Sequence, residues 1–233
     1  QVARATGRMV SGWFDSDMVL GVAWGTTLAA ISQHLNRKTT RGSAIVQLNG
    51  AANTRTSGVD YAGNLISRFA DAFDARVHHF PVPAFFDCAE TTRDMWRDRS
   101  IARVLDVQRG ADIALFSVGA LEGDVPSHVY SAGYLERVDI ETLESEGVVG
   151  DVCTVFLRAD GSYRDLTMNE RATGPTPEEL LSVPRRVCAV AGESKVVPLL
   201  AALHSGVVTH LVVDEQTALS LVEAMDAADA STS

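Results

Sequence analysis

The chain is nearly free of lysine. Of its 20 basic residues only Lys38 and Lys195 are lysines, and 30 acids bring the formal charge to −10. The basic side chains are scattered among acids, so this sequence by itself builds no duplex-DNA surface. Cysteine is scarce too: Cys88, Cys153 and Cys188 are odd in number and widely spaced, and the last two sit in the apolar runs Val152-Cys153-Thr154-Val155 and Val187-Cys188-Ala189-Val190. That pattern argues against a disulfide framework or a zinc cluster and fits buried thiols in a reducing compartment. Long apolar stretches are also missing. Val187–Ala191 and Leu211–Val213 are strand-sized, so no membrane partner is expected. No signal peptide is visible, and an opening of Gln1-Val2-Ala3-Arg4 without Met reads as a fragment or processed product of a cytoplasmic protein.

Several chemical signatures are absent as well. The G-x-G-x-x-G and G-x-x-x-x-G-K-[ST] spacings do not occur, which removes most support for a dinucleotide or nucleotide enzyme. His34, His78, His79, His128, His204 and His210 show no metal-like spacing, and there is no G-x-S-x-G elbow. Glu122, Asp124, Glu141 and Glu144 read as well as a solvated acidic face as they do as pocket residues. No catalytic residue, metal ligand or cofactor is assigned.

What remains is an alternation of short apolar strands with helices. Strands are expected at Met18–Ala23, Ser43–Leu48, Arg76–Phe80, Asp112–Val118, Val187–Ala191 and His210–Val213. Helices are expected near Leu28–Leu35, Asp60–Phe73, Ser100–Gln108 and Glu141–Glu146, from Thr176-Pro177 onward, up to His204, and over Thr217–Met225. Val152–Leu157 and Tyr163–Leu166, joined at Asp160-Gly161, read as a small two-stranded excursion. Apolar strands alternating with helices define an α/β domain, a Rossmann-like parallel sheet covered by helices on both faces. One domain spans residues 1–233, with its core at about 17–225.

In such folds ligands bind beyond the carboxyl ends of the strands. The first such end is Gly21-Val22-Ala23-Trp24-Gly25-Thr26-Thr27, where a glycine turn, a helix start and two hydroxyls suit an anion, or else form a plain turn with Thr27 as cap. Gln47 and Asn49 share a parity after the second strand and could read hydroxyls, whereas Asn49-Gly50 could equally be only a turn. Arg55 is a candidate phosphate contact, Phe85 a candidate pocket wall or else a packing contact between subunits, Gly119 a strand end, and Asp151 a candidate hydroxyl acceptor unless Gly150-Asp151 is only a turn. Lys195 falls at a helix start, where the helix dipole disfavours a cation unless an anion compensates it.

Taken in order, Gly25-Thr26-Thr27, Gln47-Leu48-Asn49-Gly50, Pro81-Val82-Pro83-Ala84, Val118-Gly119, Gly147–Asp151, Ala191–Lys195 and Val213–Ala218 resemble the effector-binding domain of the SorC family of bacterial sugar-responsive transcriptional regulators. The resemblance runs from about Asp17 to Glu223. It implies a fold similar to phosphosugar isomerases and acyl-CoA transferases, a phosphorylated sugar as effector, and a homodimer or homotetramer. It also implies DNA binding through an N-terminal helix-turn-helix domain that these residues do not contain. By motif, Gly25, Thr26, Thr27 and Lys195 match the family's phosphate-binding positions, and Gln47, Asn49 and Asp151 fall at its sugar-reading positions. The family often has Gly or Ser at position 49, Gly at 193, and Gly-Ile or Gly-Val where Ser117-Val118 stands. The alternative is a phosphosugar isomerase or deaminase of the same fold, which would need an acid or base at the substrate carbon.

Overall fold

The computed structural model describes residues 1–121 and 127–232; Glu122 and Asp124 lie outside the described residues. In chain order the elements are α1 (Val2–Trp13), β1 (Val19–Val22), α2 (Thr26–Ser32), β2 (Ala44–Gln47), a π-helical turn at Val59–Gly63 running into α3 (Asn64–Phe73), β3 (Arg76–His78), α4 (Ala89–Met95), α5 (Arg99–Arg109) and β4 (Ile113–Phe116). There follow β5 (Val118–Ala120), α6 (His128–Ser131), α7 (Arg137–Ser145), β6 (Val148–Val152), β7 (Val155–Arg158), α8 (Pro177–Leu180), β8 (Arg185–Val190), a 3-10 turn at Glu193–Lys195, α9 (Val196–His204), β9 (His210–Val213) and α10 (Glu215–Thr232).

The main sheet is six-stranded and parallel, in the order β3-β2-β1-β4-β8-β9. Without the inserted strands this is the doubly wound order 3-2-1-4-5-6, whose direction of winding switches between β1 and β4. Alternation along the strands explains why both faces are covered. Leu20, Val22, Ile113, Leu115, Val187 and Ala189 pack on one face with α1, α2 and α3, while Ala114, Phe116, Cys188 and Val190 point to the other with α9. α3 contributes Leu65, Ile66, Phe69 and Phe73, all buried, each worth roughly 1.5–3 kcal/mol on removal from water.

Three features depart from the expectations. Helix α1 extends the folded body ahead of Asp17, burying Val2 and Val10; Thr6 and Ser11 hide its pattern, because each returns its hydroxyl to the carbonyl four residues back. The run Asp112–Val118 is not one strand: it breaks at Ser117, and β5 joins a second, antiparallel sheet in the order β5-β6-β7. The antiparallel excursion is therefore real but differently built. Its hairpin is Val148–Val152 with Val155–Arg158, turned at Cys153-Thr154, and Tyr163–Leu166 is not a strand. Cys153 (φ 51°) and Thr154 (φ 71°) both adopt the left-handed conformation that a two-residue hairpin turn requires. Thr176 caps α8 with a reciprocal Glu179 bond, as its sequence implies.

Candidate functional site

A cavity of about 280 Å³ opens where the two sheets meet, beyond the carboxyl ends of β1, β2 and β4. Gly25, Thr26, Thr27, Asn49, Gly119, Asp151 and Lys195 all line it. This is the switch point at which doubly wound folds bind ligands. Its volume sits near the ~300 Å³ lower end of small-molecule pockets, which suits a compact metabolite.

The first wall is the turn from β1 into α2. Gly25 is the N-cap, at φ 155° and ψ 165°, and has no side chain to cap the helix. A residue with a Cβ rarely holds that backbone. The first amides of α2 therefore have no side-chain cap, and Thr26 and Thr27 line the cavity at this helix start. Helix-terminal amides with flanking hydroxyls make an anion seat.

Lys195 brings the cationic charge. Its backbone is set by the 3-10 turn before α9, whose entry Gly192 (φ 106°) is held by bonds from its N–H to Thr217 Oγ1 at 2.9 Å and Asp214 Oδ2 at 3.3 Å. Its ammonium donates to Ser127 Oγ. Burial holds the lysine pKa below the ordinary 10.5, with Asp151 opposing that shift.

Asp151 and Asn49 supply acceptors. Asp151 lies on β6 opposite Gly119 of β5 and is 5% exposed. A Cβ at Gly119 would stand 1.8 Å from Asp151 Oδ1, so that glycine makes room for the carboxylate. Asp151 Oδ2 accepts the Thr154 N–H at 3.0 Å, whereas among the described residues neither its Oδ1 nor the buried Oδ1 of Asn49 has a hydrogen-bond partner. Burial raises the Asp151 pKa above its usual value; the Thr154 N–H, Tyr130 and Lys195 oppose that in turn. The buried Tyr130 phenol lies close enough to feel Asp151, but makes no well-formed hydrogen bond to it. A buried acceptor without a donor costs on the order of 1–3 kcal/mol.

Four of the expected residues lie elsewhere. Gln47 is buried under the loop, where its Nε2 donates to the Asn49 carbonyl at 2.8 Å and its Oε1 accepts the Phe80 N–H at 3.3 Å. It shapes the loop that presents Asn49. Gly50 packs against the 81–83 turn, where a Cβ would come within 2.1 Å of the Pro83 carbonyl, and its own carbonyl accepts from Trp24 Nε1 at 2.8 Å. Arg55 lies along Gly133 rather than in the cavity. Phe85 stacks on Phe156 at 5.4 Å and faces a separate cleft.

Ser127, His128, Thr154 and Trp24, none of them among the expected site residues, also line the cavity. His128 stacks on Tyr61 at 5.0 Å, and Trp24 stacks on Tyr134 at 5.0 Å. A serine before a short helix is a cap signal, so Ser127 was findable as a helix start though not as a site residue. Among the described residues no cluster of three or more His, Cys, Asp or Glu side chains could hold a metal ion, and no helix is long and apolar enough to cross a membrane.

Fold and cavity together define a doubly wound domain whose switch-point cavity brings a helix start and a lysine beside buried acceptors. Residues 1–223 match the Sugar-bind family, a sugar-binding domain, and the chain belongs to that family. It is 32% identical over 209 residues to the deoxyribonucleoside regulator of Bacillus subtilis, covering 89% of this chain and 65% of that protein. It is 27% identical to the erythritol catabolism regulatory protein EryD of Brucella abortus, over 88% of this chain and 63% of the relative. The chain thus spans just under two thirds of these relatives' length. A domain of a possible sugar-binding transcriptional regulator from Arthrobacter aurescens TC1 superposes with a TM-score of 0.90 at 50% identity, over 95% of this chain and 85% of that one. The full-length sorbitol operon regulator SorC of Klebsiella pneumoniae shares the fold, with a TM-score of 0.84 at 20% identity over 94% and 71% of the two chains. These relatives are regulators rather than enzymes.

Proposed function

We propose that this domain senses a phosphorylated sugar or a similar phosphorylated metabolite, and does so without transforming it. The observation that carries the reading is that one small cavity offers two complementary sets of groups. Free helix amides, Thr26, Thr27 and Lys195 suit a phosphate, while the unpartnered oxygens of Asp151 and Asn49 suit hydroxyl donors. Gly25 keeps the phosphate close to the backbone. The names of the relatives, a deoxyribonucleoside regulator and an erythritol regulator among them, support a polyhydroxylated effector.

Within the full-length protein, a SorC-type cytoplasmic regulator in this reading, the effector would act on DNA affinity through a DNA-binding domain outside these residues. It can do so only by favouring one arrangement of subunits over another. A homodimer or homotetramer is part of the proposal, and the exposed Leu219, Val222 and Met225 on α10 offer apolar surface for it.

A thermal-shift screen of pentose and hexose phosphates beside their unphosphorylated parents tests this. A ligand at 100 times its dissociation constant adds about 2.7 kcal/mol to stability, or roughly 5–10 °C for a domain of this size. A phosphorylated compound that shifts the midpoint and is recovered unchanged after incubation is the expected result. Shifts from none of the panel, or conversion of the compound, would overturn the proposal.

A further inference from the structure

Ser127 stands at the N-cap of α6, where a serine hydroxyl ordinarily accepts from its own helix, yet it makes no such bond. It is clamped to β5 instead: its N–H donates to the Ala120 carbonyl at 3.1 Å, and its Oγ accepts the Ala120 N–H at 2.8 Å. The same Oγ receives the Lys195 ammonium. Asp151 lines the same cavity and is the group that would otherwise attract a cation there. However, among the described residues its Oδ2 is taken by the Thr154 N–H, and its buried Oδ1 makes no hydrogen bond, although the Tyr130 phenol lies close by. The ammonium rests on a neutral oxygen, while a buried carboxylate oxygen of a residue lining the same cavity has no hydrogen-bond partner among the described residues.

We propose that Ser127 is a positioning residue that keeps Lys195 off Asp151, so that the cavity can hold an anion and a hydroxyl donor at once. The inference rests on the sensing role proposed above and adds a determinant to it. In a partly buried site a lysine and a carboxylate in contact attract strongly. Such a pair would cancel the charge meant for phosphate and occupy the oxygen meant for a hydroxyl, and a ligand would have to break it. A serine hydroxyl is a weaker acceptor, readily exchanged for a phosphate oxygen. Its attachment to the β5 backbone fixes where the ammonium waits.

Inorganic phosphate is the probe for the first test, with dissociation constants read from amide chemical shifts. Ser127→Ala is expected to raise the constant about five-fold, the scale of one ordinary net hydrogen bond, and Ser127→Thr to keep it within about two-fold. In an Asp151→Asn background, where no competing carboxylate remains, the Ser127→Ala effect should shrink below about two-fold, which is the coupling a double-mutant cycle detects. A second readout needs no ligand. Because the chain has only Lys38 and Lys195, protein labelled at lysine Cε gives two signals, and Ser127→Ala should move the Lys195 titration upward as the ammonium shifts onto Asp151. Ser127→Cys carries the same expectations if the alanine variant is too unstable to titrate. An equal loss in both backgrounds, or an unmoved Lys195 titration, would overturn the proposal. Absence of saturable phosphate binding by the wild type would strike at the anion seat itself, while the lysine titration would still decide the role of Ser127.

Discussion

At the scale of single residues, Asp151 shows how a cavity-lining group can work against the fold that holds it. Its carboxyl is buried, and desolvation lifts its folded pKa above the unfolded value. A raised carboxyl pKa means that protonation favours the folded state. Stability is therefore greatest below the unfolded pKa and is lost as pH rises through the folded one. In its ionised form the buried side chain is a net cost to the fold. Asp151→Asn keeps an acceptor for the Thr154 N–H and removes the buried charge. It should raise the melting midpoint at pH 7 by about 2–4 °C, the equivalent of roughly 1 kcal/mol in a domain of this size. Scanning calorimetry should show that gain shrinking as the pH is lowered into the acid range. The same variant should weaken binding of the sugar part about ten-fold, since a charged acceptor becomes a neutral one. A lower midpoint at pH 7 would show that burial of this carboxylate is compensated by its neighbours.

Among elements, the turn from β1 into α2 carries the most information per residue. An alanine Cβ at position 25 would meet only Leu28 Cδ2, at 3.7 Å, so space does not demand glycine there. The backbone demands it, at φ 155°. Gly25→Ala should therefore destabilise the domain by roughly 1–3 kcal/mol and also lose phosphate affinity, as the α2 amides turn from the cavity. Denaturant unfolding and a phosphate titration on the same sample check both effects, and an alanine variant with wild-type stability would contradict the backbone argument. This turn was legible from sequence because glycine, hydroxyls and a helix start coincide there. Lys195 was legible because a cation at a helix start opposes the dipole in a chain with almost no lysine. Other elements gave no such sign. The apolar run through Phe116 and Val118 looks like one strand, and only the pairing of β5 with β6 reveals the break at Ser117. The hairpin turn fell on Cys153-Thr154, two residues that rarely hold positive φ, while Asp160-Gly161 had the usual turn composition. Gln47 and Asn49 share a parity, yet only Asn49 lies beyond the end of β2; the Gln47 side chain folds back beneath the loop it supports.

On the scale of the whole molecule, the site belongs to neither sheet alone. The parallel sheet contributes the ends of β1, β2 and β4, the antiparallel insertion contributes Gly119, Asp151 and Thr154, and the approach to α9 adds Lys195. A ligand seated there touches both sheets, which gives it leverage over how the insertion sits against the main body. The formal charge of −10 makes the surface as a whole unwelcoming to anions, so the proposed preference for a phosphate has to come from the few groups around the cavity. Titration calorimetry of one sugar phosphate and its unphosphorylated parent, each against wild type and Lys195→Ala, tests this most directly. The account predicts that the wild type prefers the phosphorylated form, and that Lys195→Ala weakens that form by about 1–3 kcal/mol while leaving the parent sugar's affinity nearly unchanged. Equal losses for both compounds, or a wild type indifferent to the phosphate, would contradict it.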